Sequence, residues 1–115
     1  MSSLFEITHA DRVRWQRRAA AMLATILNEH PDLPLIAWLV GTAGASLVGR
    51  VDGLRTAQQV RAEFELWCAA LQVGERAETP TSAGAHLRAT VHTGGVKISL
   101  TAAVRDEDEP TGCRR

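Results

Sequence analysis

The residues in this chain that could do chemistry are few and scattered. Cys68 is a candidate nucleophile, but it lies between Trp67 and Ala69 inside a predicted helix, where a thiol is normally a small core residue. The four histidines are His9, His30, His86 and His92. His86 and His92 share one face of a predicted strand, six residues apart, which is roughly 20 Å and too far for a single metal ion. Glu63 and Glu65 fall on the exposed side of a predicted helix, and Asp106–Glu109 belongs to a polar tail, so neither set makes a catalytic carboxylate pair. Gly41-Thr-Ala-Gly44 has the spacing of a phosphate-cradling loop, yet it sits between two predicted strands, where it reads as turn chemistry. These residues call for no metal and no cofactor, and the expectation is that the protein is not an enzyme.

Two basic clusters could meet phosphate. Arg14, Arg17 and Arg18 cluster on one flank of the first predicted helix and could act together with Arg12, and Arg88 and Lys97 share the outer face of a later hairpin. Three facts weigh against nucleic acid. Thirteen basic and thirteen acidic residues give zero formal net charge. Twelve arginines to one lysine is also the codon signature of a GC-rich genome. The hairpin face carries no aromatic residue on which a base could stack.

The elements that position these residues are better marked. Ala85–Arg105 alternates apolar and polar residues on both sides of Gly94-Gly95, the pattern of a hairpin with one buried face. A two-residue turn there sets Val91 opposite Ile98, Ala89 opposite Leu100 and Leu87 opposite Ala102. It leaves His92, Lys97, Thr90, Ser99, Arg88 and Thr101 on the other face.

The spacing predicts a first helix over Ala10–Asn28, capped by Thr8 with Asp11, its apolar stripe being Trp15, Ala19, Met22, Leu23, Ile26 and Leu27. His30 suits its negative end, and Pro31 and Pro34 stop it. Leu35–Val40 and Ala45–Val51 read as paired strands, closed by Asp52-Gly53. A second helix starts at the capping box Thr56/Gln59, buries Ala57, Val60, Phe64, Trp67, Cys68 and Leu71, and is expected to end at a Gly74 cap. Glu75–Thr81 is polar, contains Pro80, and reads as either a short edge strand or a loop.

This order is helix–hairpin–helix–hairpin. The expected fold is α+β, a single four-stranded, mainly antiparallel sheet with two amphipathic helices on one face. One domain over residues 1–105 and a disordered tail over 106–115 are expected, since 115 residues suffice for a core burying roughly 65% of the unfolded surface. No apolar run reaches the roughly 18 residues of a membrane span, and the N-terminus has no signal-peptide pattern, so a cytoplasmic location is expected.

The apolar strand, Gly49-Arg50-Val51-Asp52-Gly53, Val60–Trp67 and His86–Thr90 together resemble a loose group of small uncharacterised actinobacterial proteins often found with phage or mobile elements. The resemblance spans about residues 10–105 and implies a cytoplasmic accessory protein, with no catalytic motif to carry across.

Leu35–Val40 is the oddity. A strand in a one-sided sheet should be polar on its far side, and this one is apolar on both. Either the N-terminal arm, with Leu4, Phe5 and Ile7, covers it, or a partner does. The favoured expectation is a protein-interaction module, a homodimer or a complex with another protein. Its interface falls among Leu35, Ile36, Ala37, Trp38, Leu39 and Val40. The alternative is a nucleic-acid-binding accessory or regulatory protein that uses one of the two basic clusters.

Overall fold

The computed structural model describes residues 6–51 and 56–105. The elements follow in the order α1 (His9–Glu29), β1 (Ala37–Val40), β2 (Ser46–Val51), α2 (Ala57–Ala70), β3 (Glu75–Thr81), β4 (Gly84–Thr93) and β5 (Val96–Arg105). Both helices start at complete capping boxes, Thr8 with Asp11 and Thr56 with Gln59, each pair exchanging side-chain and backbone bonds. The Asp11 carboxyl is held below its ordinary range, chiefly by the Thr8 backbone N–H it accepts from.

The class is α+β with both helices on one face, but the sheet has five strands rather than four and is mixed rather than antiparallel. Its order is β1-β2-β5-β4-β3. The two hairpins meet where β2 runs parallel to β5, pairing Leu47 with Ile98, Gly49 with Leu100 and Val51 with Ala102. These six all point to the helix side and are buried, so the seam aligns two apolar rows. The β4–β5 hairpin keeps the register read from sequence, with Val91 opposite Ile98, Ala89 opposite Leu100 and Leu87 opposite Ala102. Gly94 and Gly95 hold φ of 55° and 78°, the left-handed pair a type I′ turn needs.

The fifth strand is β3, pairing antiparallel with β4 from Glu75↔Thr90 to Thr81↔Gly84. Two of its helix-side residues, Arg76 and Glu78, are charged. Arg61 on α2 donates two bonds to the Glu78 carboxylate, at 3.0 and 2.9 Å, and Arg76 pairs with Glu65. The Arg61 bond holds the Glu78 carboxyl below its ordinary range. Pro80 is tolerated because β3 is an edge strand.

The core joins Val60, Phe64, Trp67 and Cys68 of α2 and Ala19 and Ile26 of α1 to the helix-side residues of β2, β4 and β5. Three details of the sequence reading change. Helix α2 ends at Ala70, and Gln72, at φ 58°, takes the left-handed position expected of Gly74. Leu27 is 46% exposed and lies off the core stripe. Trp15 is half-buried but outside the core cluster, whereas Met22 and Leu23 pack against it. The expected Asp52-Gly53 turn, Leu4 and Phe5 of the arm, and the tail 106–115 lie outside the described residues.

Candidate interaction surface

The helices cover one face of the sheet, and the outward residues of its five strands form the other. The pairing registers assemble this open face in rows. One runs Leu39–Val48–Ser99–Thr90–Glu75, the next Ala37–Arg50–Thr101–Arg88–Ala77, and a third Ser46–Lys97–His92. All are exposed or half-buried except Ser99, which is 7% exposed because Val48 and Thr90 flank it on the neighbouring strands.

The six candidate interface residues divide by side. Ile36, Trp38 and Val40 turn toward the helices: Ile36 is 7% exposed, and the other two pack on the core. Ile36 is therefore not a surface residue, and Trp38 and Val40 are only half-exposed on the helix side. Leu35, Ala37 and Leu39 face outward, and Leu35 and Leu39 are 87% and 63% exposed. Of the strand's two apolar sides, one is therefore core and the other is open. Ile7, the one described apolar residue of the arm, is itself 55% exposed.

β1 also ends the sheet. The Gly41 N–H donates to the Ser46 carbonyl at 2.9 Å, which fixes this opposed pair as hydrogen-bonded. By the alternation of antiparallel ladders, Ala37 and Leu39 turn their peptide groups to β2, while Trp38 and Val40 direct theirs at the free edge.

Beneath this edge lies an aromatic cluster. Trp38 meets Trp67 edge-to-face with centroids 5.5 Å apart, and Trp67 meets His30 at 6.4 Å. Trp38 stands opposite Gly49, and a Cβ there would come within 3.0 Å of the Trp38 ring and the Ile36 side chain and 2.9 Å of Leu100. Trp67 Nε1–H donates to the Pro34 carbonyl at 2.9 Å, whereas the buried Trp38 Nε1–H has no acceptor. An unmet buried donor costs about 1–3 kcal/mol. Trp38→Phe is therefore expected to stay within about 1 kcal/mol of wild type in thermal unfolding, the relieved donor offsetting the lost ring volume.

The other candidates are dispersed. Burial pushes the Cys68 thiol above its ordinary range, as suits a core side chain. On α1, Arg14 pairs with Asp11, Arg12 and Arg17 are exposed, and Arg18 lies beside the β4–β5 turn. Arg88 and Lys97 are exposed on the open face, joined there by Arg50, which the sequence reading missed. Alternation of Leu47, Gly49 and Val51 with Ser46, Val48 and Arg50 was the available signal for its side, but only the parallel seam brings it into the row of Arg88.

Among the described residues no helix is long and apolar enough to cross a membrane. The chain matches no protein-family model, and no curated protein matches it in sequence.

Proposed function

We propose that this protein is a non-enzymatic interaction module that pairs with a second copy of itself through β1. It would act as a cytoplasmic accessory protein of the kind its sequence resemblance implies. The observation that carries the reading is the coincidence of two exposed leucines, Leu35 and Leu39, with a strand whose outer backbone edge has no strand neighbour among the described residues.

An apolar row beside unpaired peptide groups is a template for strand addition. The opposite edge differs: β3 is Glu-Arg-Ala-Glu-Thr-Pro-Thr, and its charges and Pro80 discourage pairing. Two β1 strands related by a twofold axis at Trp38 would oppose Ala37 of each copy to Leu39 of the other, a self-complementary arrangement.

Sedimentation velocity at about tens of micromolar should give a dimer, the range in which a small interface is populated. Leu39→Asp puts a charge in the apolar row and should give a monomer with wild-type circular dichroism. A monomeric wild type, or a Leu39→Asp protein that remains dimeric, would refute the reading.

A further inference from the structure

We propose that the open face of the sheet binds the sugar–phosphate backbone of double-stranded DNA through Arg50, Arg88 and Lys97. This goes beyond self-association and does not depend on it. All three side chains are exposed, and none has an ion-pair partner among the described residues. They come from three different strands. Arg50 and Arg88 occupy one row on either side of Thr101, two strand spacings apart or about 10 Å. Lys97 lies on the same face of β5, four residues from Thr101 or about 13 Å. Those separations are comparable to the groove dimensions that part the two phosphate backbones of a duplex, roughly 6–12 Å.

Charge on this protein is segregated rather than absent. Formal net charge is zero, yet the only described acidic residue on the open face of the strands is Glu75, on the edge strand. Glu65 and Glu78 lie on the helix side, each held by an arginine. The hydroxyls of Thr90 and Thr101 lie between the cations and can donate to phosphate oxygens.

The surroundings select the form of nucleic acid. The outward positions of the five strands hold no Phe or Trp, and the chain has no Tyr, so single-stranded bases would find no stacking platform beyond the imidazoles of His86 and His92. A rigid duplex held by phosphate contacts needs none. Such contacts carry no sequence information, so binding should be sequence-independent.

Fluorescence anisotropy of a labelled duplex of about 20 base pairs, with the full chain in about 25–200 mM KCl, tests this. The log affinity should fall with log salt at a slope of about −3 per protomer, as three neutralised phosphates require. Arg50→Ala, Arg88→Ala and Lys97→Ala should each weaken binding several-fold and flatten the slope by about one, with unchanged circular dichroism. The triple variant Arg12→Ala, Arg17→Ala, Arg18→Ala should bind like wild type. The proposal fails if no duplex binds at the lowest salt or if only the helix α1 variant loses binding. It also fails if single-stranded DNA or poly-glutamate binds as tightly as the duplex.

Discussion

Trp67→Ala is expected to destabilise the protein by about 3–5 kcal/mol, a large share of the stability of a domain this size. Trp67 is 2% exposed, so truncation leaves a cavity the size of an indole. It also removes the edge-to-face partner of both Trp38 and His30, and strips the Pro34 carbonyl of its donor. Pro34 begins the approach to β1, so the loss falls where the chain turns from the end of α1 into the sheet. Urea unfolding should show a much lower midpoint with little change in slope. Trp67→Phe keeps most of the packing but not the hydrogen bond, and should fall between wild type and Ala. A Trp67→Ala protein with a near wild-type midpoint would mean that the α2 core is not packed as described.

The double replacement Gly94→Val, Gly95→Val should have an effect of similar size by a different route. Both glycines sit at positive φ, where a β-branched residue is strained by about 1–3 kcal/mol. A side chain at Gly94 would also meet Met22 of α1, whose methyl lies 2.8 Å from the Cβ position. The Met22 methyl, at the end of a flexible side chain, can swing aside, but the backbone strain remains, so the variant must open the turn or shift the β4–β5 register. Amide exchange along β4 and β5 is the sensitive readout, because protection should be lost from the turn outward, at Thr93 and Val96 and then at Val91 and Ile98. Unchanged protection would show that the turn does not set the register.

The same turn shows why much of the fold was legible in the sequence. The capping boxes, the Gly94-Gly95 pair and the α2 stripe are local patterns whose geometry needs nothing distant to complete it. β3 is only half legible in that way, Glu75–Thr81 reading as either an edge strand or a loop. Its inward positions, Arg76 and Glu78, meet Glu65 and Arg61 instead of burying apolar area, so no alternation of hydropathy marks the strand. The parallel seam is hidden for another reason. Leu47, Gly49 and Val51 could have lined up with any apolar strand, and the partner, β5, lies about fifty residues further along the chain.

The candidate surface was legible to the same extent. Leu35, Ala37 and Leu39 were within the expected segment, but which side they faced depended on where the helices packed. Arg88 and Lys97 follow from the hairpin register alone, whereas Arg50 needs the strand order. Gln72 at the left-handed position after α2 is a further local departure, since Gly74 was the residue whose type suited it.

The β2–β5 seam also governs how fast this chain can reach its native state. Each hairpin can zip from its own turn on the microsecond scale, about 1–10 μs. The seam cannot, because Ser46 and Lys97 are about fifty residues apart and nothing holds them together until α2 and the strands between have been placed. The last step is then a search by two preassembled halves for a single parallel alignment. Such long-range pairing typically brings folding times into the range of milliseconds to seconds. Substitutions along Leu47–Val51 and Ile98–Ala102 would accordingly slow folding if the search is the barrier, while those confined to the Gly94-Gly95 turn would act on an earlier event.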